Sequence, residues 1–279
     1  MLLQRIDTAN GTLAVDVEGS GPLIICAHGM GDSRASYAPF AKKLVAAGYT
    51  VANMDVRGHG DSSTTFLQYG DEATAEDYLT IIEHFNQGPA VLAGSSFSSG
   101  SATMAAGKAP EMVAGLILNA PFLRNPPGLA GKIGGMLMPV LFMRPWGPSV
   151  WESYAATLWP GLGKEGTAAH AAETRRVMTQ PGRWAAFQKT VAGLDHGVVA
   201  PWISKASKTP ALVVMGKLDP DWSDPAAEAD WVASQFRDST KVLLEGVGHA
   251  PMYERVDEVS AAAVDFLGKL REKGAFGRQ

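Results

Sequence analysis

The residues best suited to chemistry in this chain are a serine, a group of aspartates and a histidine, met in that order along the sequence. The serine lies in Val91-Leu92-Ala93-Gly94-Ser95-Ser96-Phe97-Ser98-Ser99-Gly100, where an apolar run passes directly into the helical pattern SATMAAGKA. A nucleophile on so sharp a strand-to-helix turn needs small neighbours, because the turn is strained and its backbone passes close to the following helix. Gly94 and Ser98, two positions either side of Ser96, meet that need. The helix N-terminus beneath the turn favours developing negative charge. Ser98 is a competing nucleophile, with Gly100 two residues later but Ser96 in place of a preceding glycine; Ser95 and Ser99 fit less well. Taken alone, the segment also reads as a Ser/Gly-rich helix cap.

The histidine is His249, in Val247-Gly248-His249-Ala250-Pro251, just past the apolar run KVLLEG and on a glycine-containing loop. His84 falls in a helical pattern, His170 and His196 in a stretch without strands, and His59 on a turn. Between serine and histidine, Asp219, Asp221 and Asp224 follow the run ALVVMG. An acid at a strand end can accept a hydrogen bond from the histidine, fix its tautomer and stabilise the imidazolium formed during attack. Such a set performs nucleophilic acyl transfer.

Positioning these groups requires strand ends, and the sequence supplies them. LLQRID and LAVDVEG alternate apolar with polar residues around Asn10-Gly11, which predicts an opening hairpin. The runs PLIICAHG, YTVANMDV, PAVLAGS, VAGLILNA, ALVVMG and KVLLEG are continuously apolar, as strands of a parallel sheet covered on both faces are. Helical patterns run from Ser33 to Ala47, with Asp32 or Ser33 as cap, from Ala73 to Phe85, and from Asp257 to Lys273. The expected fold is α/β, a mostly parallel central sheet of about eight strands with helices on both faces. From Pro121 to about Ala206 no strand is legible, and a helical insertion is expected because structureless loops of that length are rare.

With these motifs in hand, the chain resembles the α/β-hydrolase superfamily, in its serine esterase-like form with a helical cap. Gly94-Ser95-Ser96-Phe97-Ser98 is similar to the nucleophile elbow G-x-S-x-G, with Ser98 replacing the second glycine. Cys26-Ala27-His28-Gly29-Met30-Gly31 resembles the family's HG loop, and Asp55-Val56-Arg57-Gly58-His59-Gly60-Asp61-Ser62 its D-x-R-G-x-G-x-S turn. Gly216-Lys217-Leu218-Asp219 is similar to the G-x-x-D segment, and the His249 loop to the one carrying the catalytic histidine. The resemblance implies Ser96 as nucleophile, His249 as general base and Asp219 as its orienting acid, with Asp221 the alternative acid. It implies the Met30 and Phe97 backbone N–H groups as oxyanion donors, His28 as a brace for its loop, and structural polar contacts for Asp55 and Arg57. It covers about residues 1–120 and 206–279 as the core, leaving 121–205 as the cap. Within the cap Met136, Phe142, Trp146 and Trp151 are expected to line an apolar acyl or aromatic pocket; simple packing of the cap onto the core is the competing expectation.

The implied activity is cleavage of a small to medium, partly apolar carboxylic ester, thioester or lactone through an acyl-enzyme. Carbon–carbon bond hydrolysis, cofactor-free peroxidase, lyase or acyltransferase chemistry on the same triad, and a non-catalytic ligand-binding protein of this fold, are the alternatives. No cofactor or metal is expected, since no clustered ligand spacing appears. Among 279 residues the net charge is −4 and no Lys/Arg run exceeds a pair, which argues against nucleic acid or membrane partners. Ile133 to Met143 is too short to span a bilayer. The expected partner is a small-molecule substrate, the assembly a monomer or homodimer. The opening residues lack a secretory pattern, so a cytoplasmic location is expected. Cys26 is the only cysteine and reads as a buried strand residue.

Overall fold

Strands apolar on both faces must be covered on both, and the computed structural model, which describes residues 2–277, shows how. The strands are β1 (Leu2–Thr8), β2 (Gly11–Glu18), β3 (Leu23–Ala27), β4 (Thr50–Met54), β5 (Ala90–Ser95), β6 (Val113–Asn119), β7 (Ala211–Gly216) and β8 (Ser239–Leu244). They form one sheet in the order β1-β2-β4-β3-β5-β6-β7-β8. The β1–β2 and β2–β4 pairs are antiparallel and the rest parallel.

The helices are α1 (Ala38–Ala46), α2 (Asp71–Phe85), α3 (Phe97–Lys108), α4 (Gly128–Leu141), α5 (Gly147–Leu158), α6 (Gly163–Met178), α7 (Arg183–Gly193), α8 (Ala200–Ala206), α9 (Pro225–Ser234), α10 (Pro251–Glu254) and α11 (Val256–Glu272). Successive strand residues divide between two cores by the two-residue period of the pleat. Ile24, Cys26 and Val91 join α1 and α11 on one face. Ile25, Ala27 and Leu92 join α2, α3 and α9 on the other. Cys26 is thus a packed side chain, its thiol pushed up by burial.

Three local expectations shift. The hairpin turns at Ala9-Asn10, while Gly11 already pairs with Thr8 as the first residue of β2, under the Phe66 ring that leaves no room for a Cβ. The stretch expected as one helix from Ser33 opens as a 3-10 turn over Arg34–Tyr37, and neither expected cap acts as one: Asp32 Oδ1 accepts from the Ser33 N–H, and the Ser33 side chain makes no cap bond. At the end of the strand-free stretch, α8 packs on α3, with Val199, Ile203 and Ala206 in the same core as Leu116 and Val213. It serves as the crossover helix that covers the sheet between β6 and β7.

Helices α4 to α7 fill the rest of that stretch, and their buried side chains continue the core that holds Ile24, Tyr37 and Phe40. Among them Phe142, Trp151, Trp184 and Phe187 pack together, with the Phe142, Trp151 and Trp184 rings all within 5.4 Å of the Phe187 ring. No helix among the described residues is long and apolar enough to cross a membrane.

Candidate active site

At the end of β5 the chain turns into α3 through Ser96, whose φ of 58° and ψ of −129° are unusual for a residue bearing a side chain. Such a conformation costs on the order of 1–3 kcal/mol and persists only when its surroundings impose it. Here they do. The Ser96 N–H donates to the Asn119 carbonyl at 2.9 Å, and the Ser96 carbonyl accepts from Ser99 and Phe122. A Cβ at Gly94 would lie 2.4 Å from the Ser98 carbonyl oxygen, so only glycine fits two residues before the turn.

The neighbouring serines are already committed. Ser98 is fully buried and donates to the His28 carbonyl at 2.7 Å; Ser99 and Ser101 donate to the Asn119 and Phe97 carbonyls. Ser96 is half-buried, and among the described residues its hydroxyl makes no hydrogen bond. Where the elbow pattern has glycine, Ser98 therefore ties the turn to the end of β3.

Facing Ser96 is the loop after β3. A Cβ at Gly29 would come within 3.1 Å of the Ser96 Cβ, so glycine lets this loop cross the serine closely. Two histidines hold it. His28 Nδ1 donates to the Gly29 carbonyl at 2.7 Å and its Nε2 accepts from the Val56 N–H at 3.1 Å. His59 Nδ1 donates to the Arg57 carbonyl at 2.9 Å and its Nε2 accepts from the Gly31 N–H at 3.0 Å. Burial holds both rings neutral, His59 down at about 3. The brace expected of His28 is present, and His59, seen only as a turn residue in the sequence, is its counterpart. Among the described residues neither the Met30 nor the Phe97 N–H has a hydrogen-bond partner, and Phe97 opens α3, where first-turn amides are unpaired by geometry.

The turn after β4 is structural, but with other partners than its own two charges. Asp55 accepts from the Arg34 guanidinium and from the Arg34 and Asp61 N–H groups. Arg57 forms a fork on buried Asp77, with contacts of 2.8 to 3.0 Å.

His249 lies on the loop between β8 and α10, nine-tenths buried, with Nδ1 2.9 Å from Asp219 Oδ2. Asp221 Oδ2 is 3.3 Å from the same nitrogen. Asp219 is buried and also accepts from the Asp221 N–H at 3.0 Å. Asp224 stands apart as the cap of α9, accepting from the Ala227 N–H. Burial alone would push the imidazole down, but Asp219, Asp221 and Glu254 outweigh it and raise it to about 9. Burial raises Asp221 as well.

The loop is clamped by Glu254, which the sequence reading passed over. Its carboxylate accepts from the Gly161, Gly248 and Ala250 N–H groups at 2.7, 2.9 and 3.0 Å. The His249 N–H donates to the Leu158 carbonyl at 2.7 Å, so the end of α5 is fastened to the histidine loop. The only signal for Glu254 was an acid five residues after the histidine.

Of the four side chains expected at an apolar pocket, Phe142 and Trp151 are packed inside the helical layer at 2% and 1% exposure. Trp151 reaches the loop facing Ser96, since a Cβ at Gly31 would meet its ring at 2.1 Å. Met136 and Trp146 are 80% and 49% exposed. Trp146 lines a shallow groove of about 490 Å³ along α5 with Ser149, Val150, Ser153 and Tyr154. Asp219, Asp221 and His249 have ligand atoms within 4.8 Å of one another, close enough to hold a cation; a cation on Nδ1 would displace the proton shared with Asp219.

Residues 24–262 match the model of the alpha/beta hydrolase family. A stretch of 114 residues is 32% identical to 2-(acetamidomethylene)succinate hydrolase of Mesorhizobium japonicum, covering 41% of each chain. The chain thus spans less than half the length of the curated relatives it matches. A thermophilic esterase of Thermogutta terrifontis has the same fold at a TM-score of 0.81 and 22% identity, over 97% of this chain and 99% of that one. The enol-lactonase of Burkholderia xenovorans aligns at 0.78 and 21% over 92% and 97%.

Proposed function

The chain belongs to the alpha/beta hydrolase family and is a hydrolase, and from that premise we propose that it cleaves carboxylic esters, thioesters or lactones through an acyl-enzyme on Ser96. The observation that carries this reading is the free Ser96 hydroxyl on its imposed positive-φ turn, together with a histidine whose Nδ1 is already held by an acid; Phe122 touches both, its N–H on the Ser96 carbonyl and its ring 5.9 Å from the imidazole.

In the proposed reaction His249 Nε2 takes the Ser96 hydroxyl proton as Oγ bonds to the substrate carbonyl carbon. Asp219 keeps Nε2 as the basic nitrogen and stabilises the imidazolium. The Met30 and Phe97 N–H groups receive the oxyanion; one such donor contributes about 3 kcal/mol to transition-state stabilisation. The carbon–oxygen or carbon–sulfur bond then breaks as the imidazolium returns its proton to the leaving group. Water, deprotonated by the same nitrogen, repeats the sequence and frees the acid.

Helices α4 to α7 act as a cap, and the groove along α5 receives the apolar part of the substrate, with Trp146 and Val150 as its walls. The curated and structural relatives act on an acetamidomethylene succinate, an ester and an enol-lactone by their names, so a screen of acyl p-nitrophenyl esters, lactones and acetamidomethylene succinate is the natural range.

A fluorophosphonate probe tests the assignment. Wild type and Ser98→Ala are expected to label and Ser96→Ala to remain blank. Labelling that persists in Ser96→Ala and disappears in Ser98→Ala would overturn it, and absence of both labelling and ester turnover in wild type would favour a ligand-binding protein.

A further inference from the structure

Two carboxylates, not one, face the same nitrogen of His249: Asp219 Oδ2 at 2.9 Å and Asp221 Oδ2 at 3.3 Å. Like charges this close repel, so each needs compensation of its own. Asp219 has the imidazole N–H and the Asp221 backbone N–H. Asp221 has the phenol of Tyr154, which donates to its other oxygen, Oδ1. Tyr154 belongs to α5, in the helical layer above the sheet, and sits at the end of the groove there.

We propose that Asp221 and Tyr154 are positioning residues for His249: the Tyr154 hydroxyl orients Asp221 as a second counter-charge, so that base strength at the site depends on how α5 is seated. The proposal rests on the reading of His249 as general base. Without the phenol, Asp221 would face Asp219 uncompensated and would either take a proton or turn toward the groove; in both cases the imidazole loses a neighbouring charge.

The groups that face His249 come from four elements. Asp219 and Asp221 lie on the loop after β7, Glu254 on α10, and Tyr154 on α5. His196, beyond the Phe122 ring, adds a weaker influence on Asp221 from the turn before α8. Glu254 is occupied by three backbone N–H groups, which leaves the two aspartates as the principal charges on the ring. Together they produce the upward displacement of the imidazole to about 9.

A purely mechanical role for Tyr154, anchoring α5, makes a different prediction. The end of α5 is fastened independently, by the Leu158 carbonyl on the His249 N–H and by Gly161 on Glu254. Removing one hydroxyl would then lower stability slightly and activity equally at every pH.

The test is kcat/KM for p-nitrophenyl acetate against pH in wild type, Asp221→Asn and Tyr154→Phe. Loss of one nearby opposite charge moves a pKa by about one unit or more, so the acid limb in Asp221→Asn is expected to fall by at least about one unit. The neutral fraction of His249 at pH 7 would rise about tenfold per unit. Tyr154→Phe is expected to move the limb the same way by less, and the double variant no further than Asp221→Asn. Titration of the downfield His249 Nδ1–H proton resonance gives the same reading without turnover. An unmoved midpoint in both variants, with activity lowered uniformly, would overturn the proposal. Loss of fluorophosphonate labelling in Ser96→Ala alongside that result would leave the serine hydrolase reading standing; retained labelling there would remove its premise instead.

Discussion

The serine side and the histidine side of the site are built from different materials. Around Ser96 the work is done by backbone and missing side chains: a positive φ, Gly94 where no Cβ fits, Gly29 where one would crowd the serine, two unpaired amides and two neutral histidines. Around His249 it is done by buried charge, with Asp219, Asp221 and Glu254 converging on one loop. Steric constraint fixes a position and is nearly independent of pH, whereas convergent charge fixes a proton affinity and is sensitive to every partner. A site divided in this way holds Ser96 rigidly and leaves the proton affinity of His249 adjustable.

The largest expected effects test that division directly. Ser96→Ala should lower kcat by about 10⁴ to 10⁶, as removal of a nucleophile from such a set does. Ser98→Ala should lower it by less than about tenfold, because that hydroxyl is spent on the His28 carbonyl, and should cost about 1 kcal/mol of stability in a urea titration. Equal losses in the two variants would mean that the elbow does not separate its serines. On the other side, Asp219→Asn should lower kcat by about 10⁴ with the fold intact, through the wrong tautomer of His249. A loss of only a few-fold would show Asp221 substituting for it at 3.3 Å.

The same contrast explains what could be read from the sequence. Ser96, Gly94 and the HG loop are legible because steric needs are local: they appear as residue types at fixed spacing. His249 is legible because a strand end and a glycine announce it. Asp219 and Asp221 could only be ranked, and both approach the imidazole. Tyr154, Glu254 and His59 were not legible, since they have partners 67, 93 and 28 residues away in sequence. The partner of Arg57 was not legible for the same reason, its fork on Asp77 being a contact between turn and helix. Strands were found to within two residues at each end, because continuous apolar runs have one stable use in a sheet covered on both faces.

A smaller effect, and one of opposite sign for two measurements, comes from pH. His249 is raised in the folded protein to about 9 from an ordinary 6.5. Its charged form therefore stabilises the fold fully below about 6.5, and that contribution is lost as pH rises through 9. The proposed mechanism requires the neutral imidazole, so kcat/KM should climb over the same interval in which Tm falls. Thermal melts of wild type and His249→Ala at pH 6 and pH 9.5 check the first part: the decline should be shallower in the variant. A wild-type activity plateau already reached at pH 7 would break the link between the carboxylate cluster and the base.

The helical layer of α4 to α7 offers the smallest and most discriminating comparison. Its apolar composition announced a pocket without saying which side chains point inward, because which face of each helix is covered depends on how the helices dock. The structure divides the four expected residues into two kinds. Trp151 is packed between Phe187 and Gly31, so Trp151→Ala should cost about 3–5 kcal/mol in urea unfolding and loosen the loop carrying Met30. Met136 is 80% exposed, and Met136→Ser should change stability by less than about 0.5 kcal/mol. What it does to KM then carries information that stability cannot. A KM that rises with acyl chain length in Met136→Ser, at constant Tm, would place the outer face of α4 in contact with substrate. A KM unchanged for every chain length would confine recognition to the groove beside Trp146, where the cap meets Asp221 through Tyr154.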